Sequence, residues 1–170
     1  NLEKIFIYDV NDKSMENLIS EVSEEVSVPI VKASGPEELV KSCEVISSAT
    51  IILLGPLKVV KKEWVRKGQT ILPCDLNTFW EPEICRMADK YIVDSIDEHK
   101  LFENMGYFPD GLADITCETG EVIAGLHAGR TNENELIVCS NIGISVSDVI
   151  MGKAILDRAF EMGLGRKVPL

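Results

Sequence analysis

The sequence predicts an α/β fold, a doubly wound parallel sheet with helices packed on it, on three observations. Short β-branched runs alternate with segments whose apolar residues recur every three or four positions. Pro, Gly, Asn and Asp punctuate the boundaries between them. A length of 170 residues at 45% hydrophobic content suits one core of ordinary domain size.

Ile5-Phe6-Ile7-Tyr8 is an apolar run of strand length that ends at Asp9. Asn11-Asp12 offers an N-cap for a helix carrying Met15, Leu18, Ile19 and Val22 on one face. Residues 28–31 read as the next strand, with Pro29 placing it at an edge or a strand start. Gly35-Pro36-Glu37-Glu38 opens a second helix, with proline and acids in its first turn. Residues 45–50 form a strand ending in small hydroxyl residues. Residues 70–72, 91–93 and 136–139 are three more strands, and short helices are expected around 81–87, 97–104 and 118–124. A long helix over 146–162 closes the chain and is expected to pack on the domain, with Gly163 and Gly165 ending it. No repeat or linker interrupts the pattern, so residues 1–170 are expected to form a single domain.

Composition narrows the function. Seventeen Lys plus Arg against 28 Asp plus Glu give a net charge of −11, which repels phosphate backbones and argues against nucleic acid as a partner. The apolar pair Leu53-Leu54 is soon followed by Lys58, Lys61 and Lys62, and no other apolar run spans a bilayer. No basic-then-apolar signal pattern opens the sequence. Cys43, Cys74, Cys85, Cys117 and Cys139 are scattered without a close pair, as expected for buried thiols in a reducing cytoplasm rather than a metal site.

Ligands of parallel sheets lie beyond the carboxyl ends of the strands, so residues at those ends are the site candidates. Asp9 can accept both hydroxyls of an adenine ribose, or can serve as a turn or capping aspartate. Asp75 follows a strand and Pro73-Cys74; it suits a general acid/base or an Asx-turn with Asn77. Ser47, Ser48 and Thr50 can hydrogen-bond a dinucleotide or simply end a strand. Asn141-Ile142-Gly143 lies between the last strand and the last helix, where backbone can approach a ligand closely. His99 and His127 read as surface or loop histidines, and Trp64 and Trp80 as packing anchors.

Taken in order, these segments resemble the dinucleotide-binding half of the ornithine cyclodeaminase and mu-crystallin family. Ile5-Phe6-Ile7-Tyr8-Asp9 resembles the family's second strand, which in NAD-using members ends in the ribose-binding aspartate. Ser47-Ser48-Ala49-Thr50 resembles the strand end against which the cofactor lies. Thr70-Ile71-Leu72-Pro73-Cys74-Asp75 is similar to the strand whose terminal aspartate is the catalytic acid/base, and residues 88–94 to the strand that follows. Gly120-Glu121-Val122-Ile123-Ala124-Gly125 with Gly129-Arg130, and Ser140-Asn141-Ile142-Gly143-Ile144 with Asp148, carry the most specific likeness.

The resemblance implies a Rossmann-like fold that binds NAD through Asp9, Ser48, Ala49, Thr50, Cys74, Asn141 and Gly143. It implies Asp75 as the catalytic residue, a small amino or imino acid as substrate, and no metal. The implied activity is an oxidoreductase acting at a C–N bond through hydride transfer and an imine. The alternative is a catalytically silent binding or assembly module. Family members also carry an N-terminal region and a first strand with a glycine loop. A glycine-rich turn about 20 residues before the ribose-binding acid is not found in this sequence. A chain truncated at its N-terminal side is therefore expected, working as a homodimer or with a partner that supplies that half. Leu76-Asn77-Thr78-Phe79-Trp80 after Asp75 departs from the Pro-Gly-Lys run of ornithine-specific members, which speaks against ornithine.

Overall fold

The computed structural model describes residues 2–76, 78–166 and 168. Five strands form the main sheet: β3 (Val45–Ser48), β4 (Thr70–Pro73), β5 (Lys90–Val93), β6 (Cys117–Glu118) and β7 (Ile137–Ser140). They run in the spatial order β3-β4-β7-β5-β6, every pair parallel. This is the predicted parallel sheet, and its carboxyl ends share one edge. β1 (Ile5–Ile7) and β2 (Ile30–Lys32) pair with each other in a separate parallel two-stranded sheet. No hydrogen-bonded strand joins the two sheets among the described residues.

The second strand begins at Ile30, later than expected from the sequence, because Pro29 has no N–H to give to a ladder. Pro29 instead accepts the Ile5 N–H through its carbonyl at 2.9 Å, and the ladder starts one residue on. α1 (Asp12–Val22) is capped by the Asn11 side chain, which accepts the Lys13 N–H. α2 (Pro36–Ser42) starts on its proline, as the sequence predicts. α3 (Glu83–Met87), α4 (Ile96–Asn104) and α5 (Thr119–Ile123) lie within a residue or two of expectation.

Among the described residues the larger core cluster gathers around Val40, Ile46, Val60, Ile71, Trp80, Ile84, Tyr91, Val93, Leu136 and Val138, and a smaller one holds Ile92, Cys117 and Ile137. Two expectations are corrected here. His99 is fully buried on α4, not at the surface, whereas His127 is exposed. Cys74 is an exposed thiol, while Cys117 is buried; burial pushes the Cys85 thiol up to about 12.

α6 (Ser145–Glu161) differs from expectation in another way. It forms as predicted, and Gly163 beyond it adopts φ +66°. None of its residues is buried, and Val149, Ile150, Met151, Ile155 and Phe160 are all exposed. Its apolar residues encircle the helix rather than form one stripe.

The amino ends of β5 and β7 are tied by polar contacts. The Glu135 carboxylate accepts the Thr131 N–H at 2.7 Å and the Thr131 hydroxyl at 2.5 Å, and pairs with Lys90 at 3.3 Å. Those Thr131 hydrogen bonds, with Lys90 adding to them, hold its carboxyl at about 2. A carboxyl whose folded value lies below its unfolded value of about 4.3 stabilises the fold above that value and loses the contribution as pH falls. Glu135→Gln is therefore expected to lower unfolding stability at pH 7. The gap from the unsubstituted chain should close between about pH 4.5 and 2 in urea titrations across pH. A gap that does not change with pH would remove Glu135 from this role.

Candidate functional site

The site is built where β3, β4, β5 and β7 end. The β3–β4 register sets Ser48 opposite Pro73, and the Cys74 N–H continues the ladder to the Ser48 carbonyl at 2.8 Å. Asp75 emerges just beyond that ladder and is fully buried. Its Oδ1 accepts the Ser48 hydroxyl at 3.0 Å; its Oδ2 accepts the Thr50 hydroxyl at 2.8 Å and the Thr50 N–H at 3.3 Å. Trp80 Nε1 donates to Ser48 Oγ at 2.7 Å. Because the indole N–H can only donate, Ser48 must point its own proton at Asp75. The result is a one-way chain, Trp80 to Ser48 to Asp75, that ends on a carboxylate acting as acceptor throughout.

Strain is stored beside this carboxylate. Leu76 lies at φ +57°, in the left-handed region, and its side chain is buried. A leucine there costs roughly 1–2 kcal/mol, and such outliers gather where surrounding structure over-determines the backbone. The Thr78 N–H bonds back to the Asp75 carbonyl at 3.1 Å. Buried Thr78 also accepts the Leu53 N–H through its hydroxyl and the Leu57 N–H through its carbonyl, fixing the 50–58 loop over the site. The expected Asx-turn partner Asn77 lies outside the described residues.

Of the residues predicted from sequence, Ser48, Thr50 and Asp75 meet directly. The Ser48 hydroxyl faces inward to Asp75, whereas Thr50 is exposed and stands between Asp75 and solvent. Ala49 and Cys74 are exposed at the same strand ends. The Asn141 N–H donates to the Pro73 carbonyl at 2.9 Å, which ties the end of β7 to β4, and its side-chain amide bonds Cys139. Gly143 adopts φ +91°, and a Cβ there would meet nothing within 4 Å, so its backbone borders open space. Asp9 stands apart at the end of β1, exposed, with Oδ1 accepting the Asn11 N–H at 2.7 Å. Its turn role is thus real, and it leaves the second carboxylate oxygen for a ligand.

Sequence reasoning missed three participants. Trp80 was read as packing alone, yet it is also the donor that orients Ser48. Asp94, at the end of β5, accepts the Gly143 N–H at 2.6 Å. His99 takes the Ser140 hydroxyl at Nε2, at 3.2 Å. Burial holds its pKa below the ordinary histidine value. A strand-terminal acid followed by a serine N-cap was the one available signal for Asp94; nothing local marks the other two.

Asp9 beyond β1 and Gly143 beyond β7 are both exposed at strand carboxyl ends. No group of three or more His, Cys, Asp or Glu among the described residues is placed to hold a metal. No helix among them is long and apolar enough to cross a membrane.

The family model described as Ornithine cyclodeaminase/mu-crystallin family matches residues 1–163. The chain is 26% identical to an alanine dehydrogenase of Archaeoglobus fulgidus over 99% of its own length and 52% of that protein's. It is 24% identical to a Delta(1)-pyrroline-2-carboxylate reductase of Bacillus cereus, over 99% of its length and 53% of the relative's. The Thermococcus litoralis Delta(1)-pyrroline-2-carboxylate reductase, solved with NADH and L-proline, superposes with a TM-score of 0.84 at 28% identity. That match covers 99% of this chain and 54% of the reductase. The chain thus spans about half the length of the curated relatives it matches.

The buried chain predicts unequal effects of two neighbouring serines. Ser48→Ala leaves both Trp80 Nε1 and Asp75 Oδ1 short of a partner, and is expected to cost about 2–4 kcal/mol. Ser47→Ala, at the exposed neighbour, should stay within about 0.5 kcal/mol. Chemical denaturation measures both; equal costs would contradict the network.

Proposed function

This chain belongs to the ornithine cyclodeaminase/mu-crystallin family, and on that premise we propose that it is the cofactor-binding part of an NAD-dependent oxidoreductase. The reaction is placed at the C–N bond of a small amino or imino acid. The observation that carries the reading is Asp75, a carboxylate held at a strand's carboxyl end beside the open backbone of the β7–α6 turn. The relatives support the substrate class: one is named an alanine dehydrogenase, and two are named Delta(1)-pyrroline-2-carboxylate reductase, one of them solved with NADH and L-proline.

In this reading NAD supplies the hydride acceptor or donor when bound. Asp9 accepts the ribose hydroxyls, and its charge repels a 2′-phosphate. Thr50, Ala49 and Cys74 border the cofactor, while Asn141 and Gly143 meet its nicotinamide end. Asp75 accepts a proton from the substrate or its attacking water in one direction and returns it in the other. Oδ2 accepts the hydroxyl and the backbone N–H of Thr50, a residue exposed to solvent. Proximity of these groups supplies orientation, and the cofactor carries the electron pair.

A second reading is favoured by one specific observation. Both Asp75 oxygens are taken, and the residue is fully enclosed, as suits a purely structural carboxylate in a catalytically silent module.

Turnover of the complete protein separates the two. NADH oxidation is expected with a cyclic imino acid, or with pyruvate and ammonia. Asp75→Asn should then remove turnover by a factor of about 10²–10⁴ while NADH still binds. Retention of most of the rate would make Asp75 structural. Comparing NADH with NADPH tests Asp9: NADH is expected to bind tighter, and equal affinities would take Asp9 out of the site.

A further inference from the structure

Resting on the reading that the β7–α6 turn meets the nicotinamide end, we propose that Asp94 is a positioning residue that latches this turn in place. Asp94 follows β5 directly. Its backbone N–H donates to the Ser140 carbonyl at 3.2 Å, which extends the β5–β7 ladder by one step. Its carboxylate then divides its work. Oδ1 accepts the Ser95 N–H at 3.0 Å, and Oδ2 accepts the Gly143 N–H at 2.6 Å. The Asp94 side chain is 9% exposed, while Gly143 itself is exposed. A nearly buried carboxylate thus reaches out to the backbone of a residue that has no side chain to be held by.

The inner part of the same turn has other anchors. The Ser140 hydroxyl meets His99 Nε2 at 3.2 Å, and His99 Nδ1 bonds the Ser95 carbonyl at 2.9 Å. With its proton on Nδ1, the ring accepts at Nε2, so Ser140 donates. The Asn141 N–H is held by Pro73, two residues before Asp75. Residues 140 and 141 are therefore fixed to the sheet without the Asp94 carboxylate. Residue 143 lies beyond those anchors, at φ +91° and facing open space. Among the described residues, Asp94 makes the hydrogen bond that brings its N–H back to the sheet. Loss of the carboxylate frees the outer turn and leaves the strand beneath it in place. The effect should fall on the part of a dinucleotide that touches this turn, and should spare the part bound elsewhere.

Calorimetric titration of the complete protein with NADH and with ADP-ribose, for the wild type and Asp94→Asn, tests this. The amide side chain keeps the size of the aspartate and can still accept from Ser95, but its NH2 cannot accept from Gly143. NADH affinity is expected to fall about tenfold, the loss of one charge-assisted hydrogen bond, with ADP-ribose affinity unchanged. Unchanged NADH affinity, or an equal loss for both ligands, would overturn the latch while leaving the dinucleotide reading intact. A wild-type protein that binds neither ligand would overturn the dinucleotide reading and the latch with it. Should Asp94→Asn fail to fold, Asp94→Ser, too short to reach Gly143, carries the same outcomes. Hydrogen exchange on the wild type adds a test free of substitution: the Gly143 amide should be protected, and free exchange there would overturn the latch.

Discussion

A carboxylate sealed from water is the constraint on which this structure turns. Burial of an ionised group is tolerated only when donors replace the lost solvent. Asp75 receives its donors from Ser48 and Thr50, 27 and 25 residues earlier in the chain. Those residues reach it only if β3 lies beside β4 in the observed register. A slip of one residue would turn the Ser48 hydroxyl to the other face of the sheet. Fold and site therefore satisfy one condition. Trp80 extends it: an indole whose ring packs in the core also settles which way the Ser48 proton points.

The order of strands explains how distant parts of the sequence converge. β7 is last in the chain but sits between β4 and β5. Its carboxyl end is consequently flanked by Asp75 on one side and Asp94 on the other. The β4 side fixes Asn141 through Pro73, and the β5 side fixes Ser140 and Gly143. A turn held from both neighbouring strands presents its backbone in a defined place, which is the preorganisation a bound cofactor requires.

Much of this was legible in the sequence because parallel strands announce themselves as β-branched runs with a functional residue at the end. Ile5-Phe6-Ile7 before Asp9 and Thr70-Ile71-Leu72 before Asp75 read directly. The two-residue strand Cys117–Glu118 did not, since its pairing to Ile92 and Val93 is a tertiary fact with no local period. His99 sits among charged helix residues and is buried by contacts with residues of β5, β7 and the 106–111 loop, invisible to helix periodicity. For Ser48 the sequence leaves open a ligand contact or a plain strand end, because it gives the strand end but not the indole behind it. The long final helix was read correctly as a helix. None of its residues is buried within this chain.

The central claim is that Asp75 handles the proton in a reaction between a dinucleotide and a small amino or imino acid. A crystal structure of the complete protein with NADH and a cyclic amino acid bound tests it most directly. The expected result is an Asp75 oxygen within about 3.2 Å of the substrate nitrogen or of a water beside its α-carbon, with the nicotinamide against the Asn141 to Gly143 backbone. A nicotinamide bound away from that turn, or an Asp75 still sealed beneath Thr50, would contradict it.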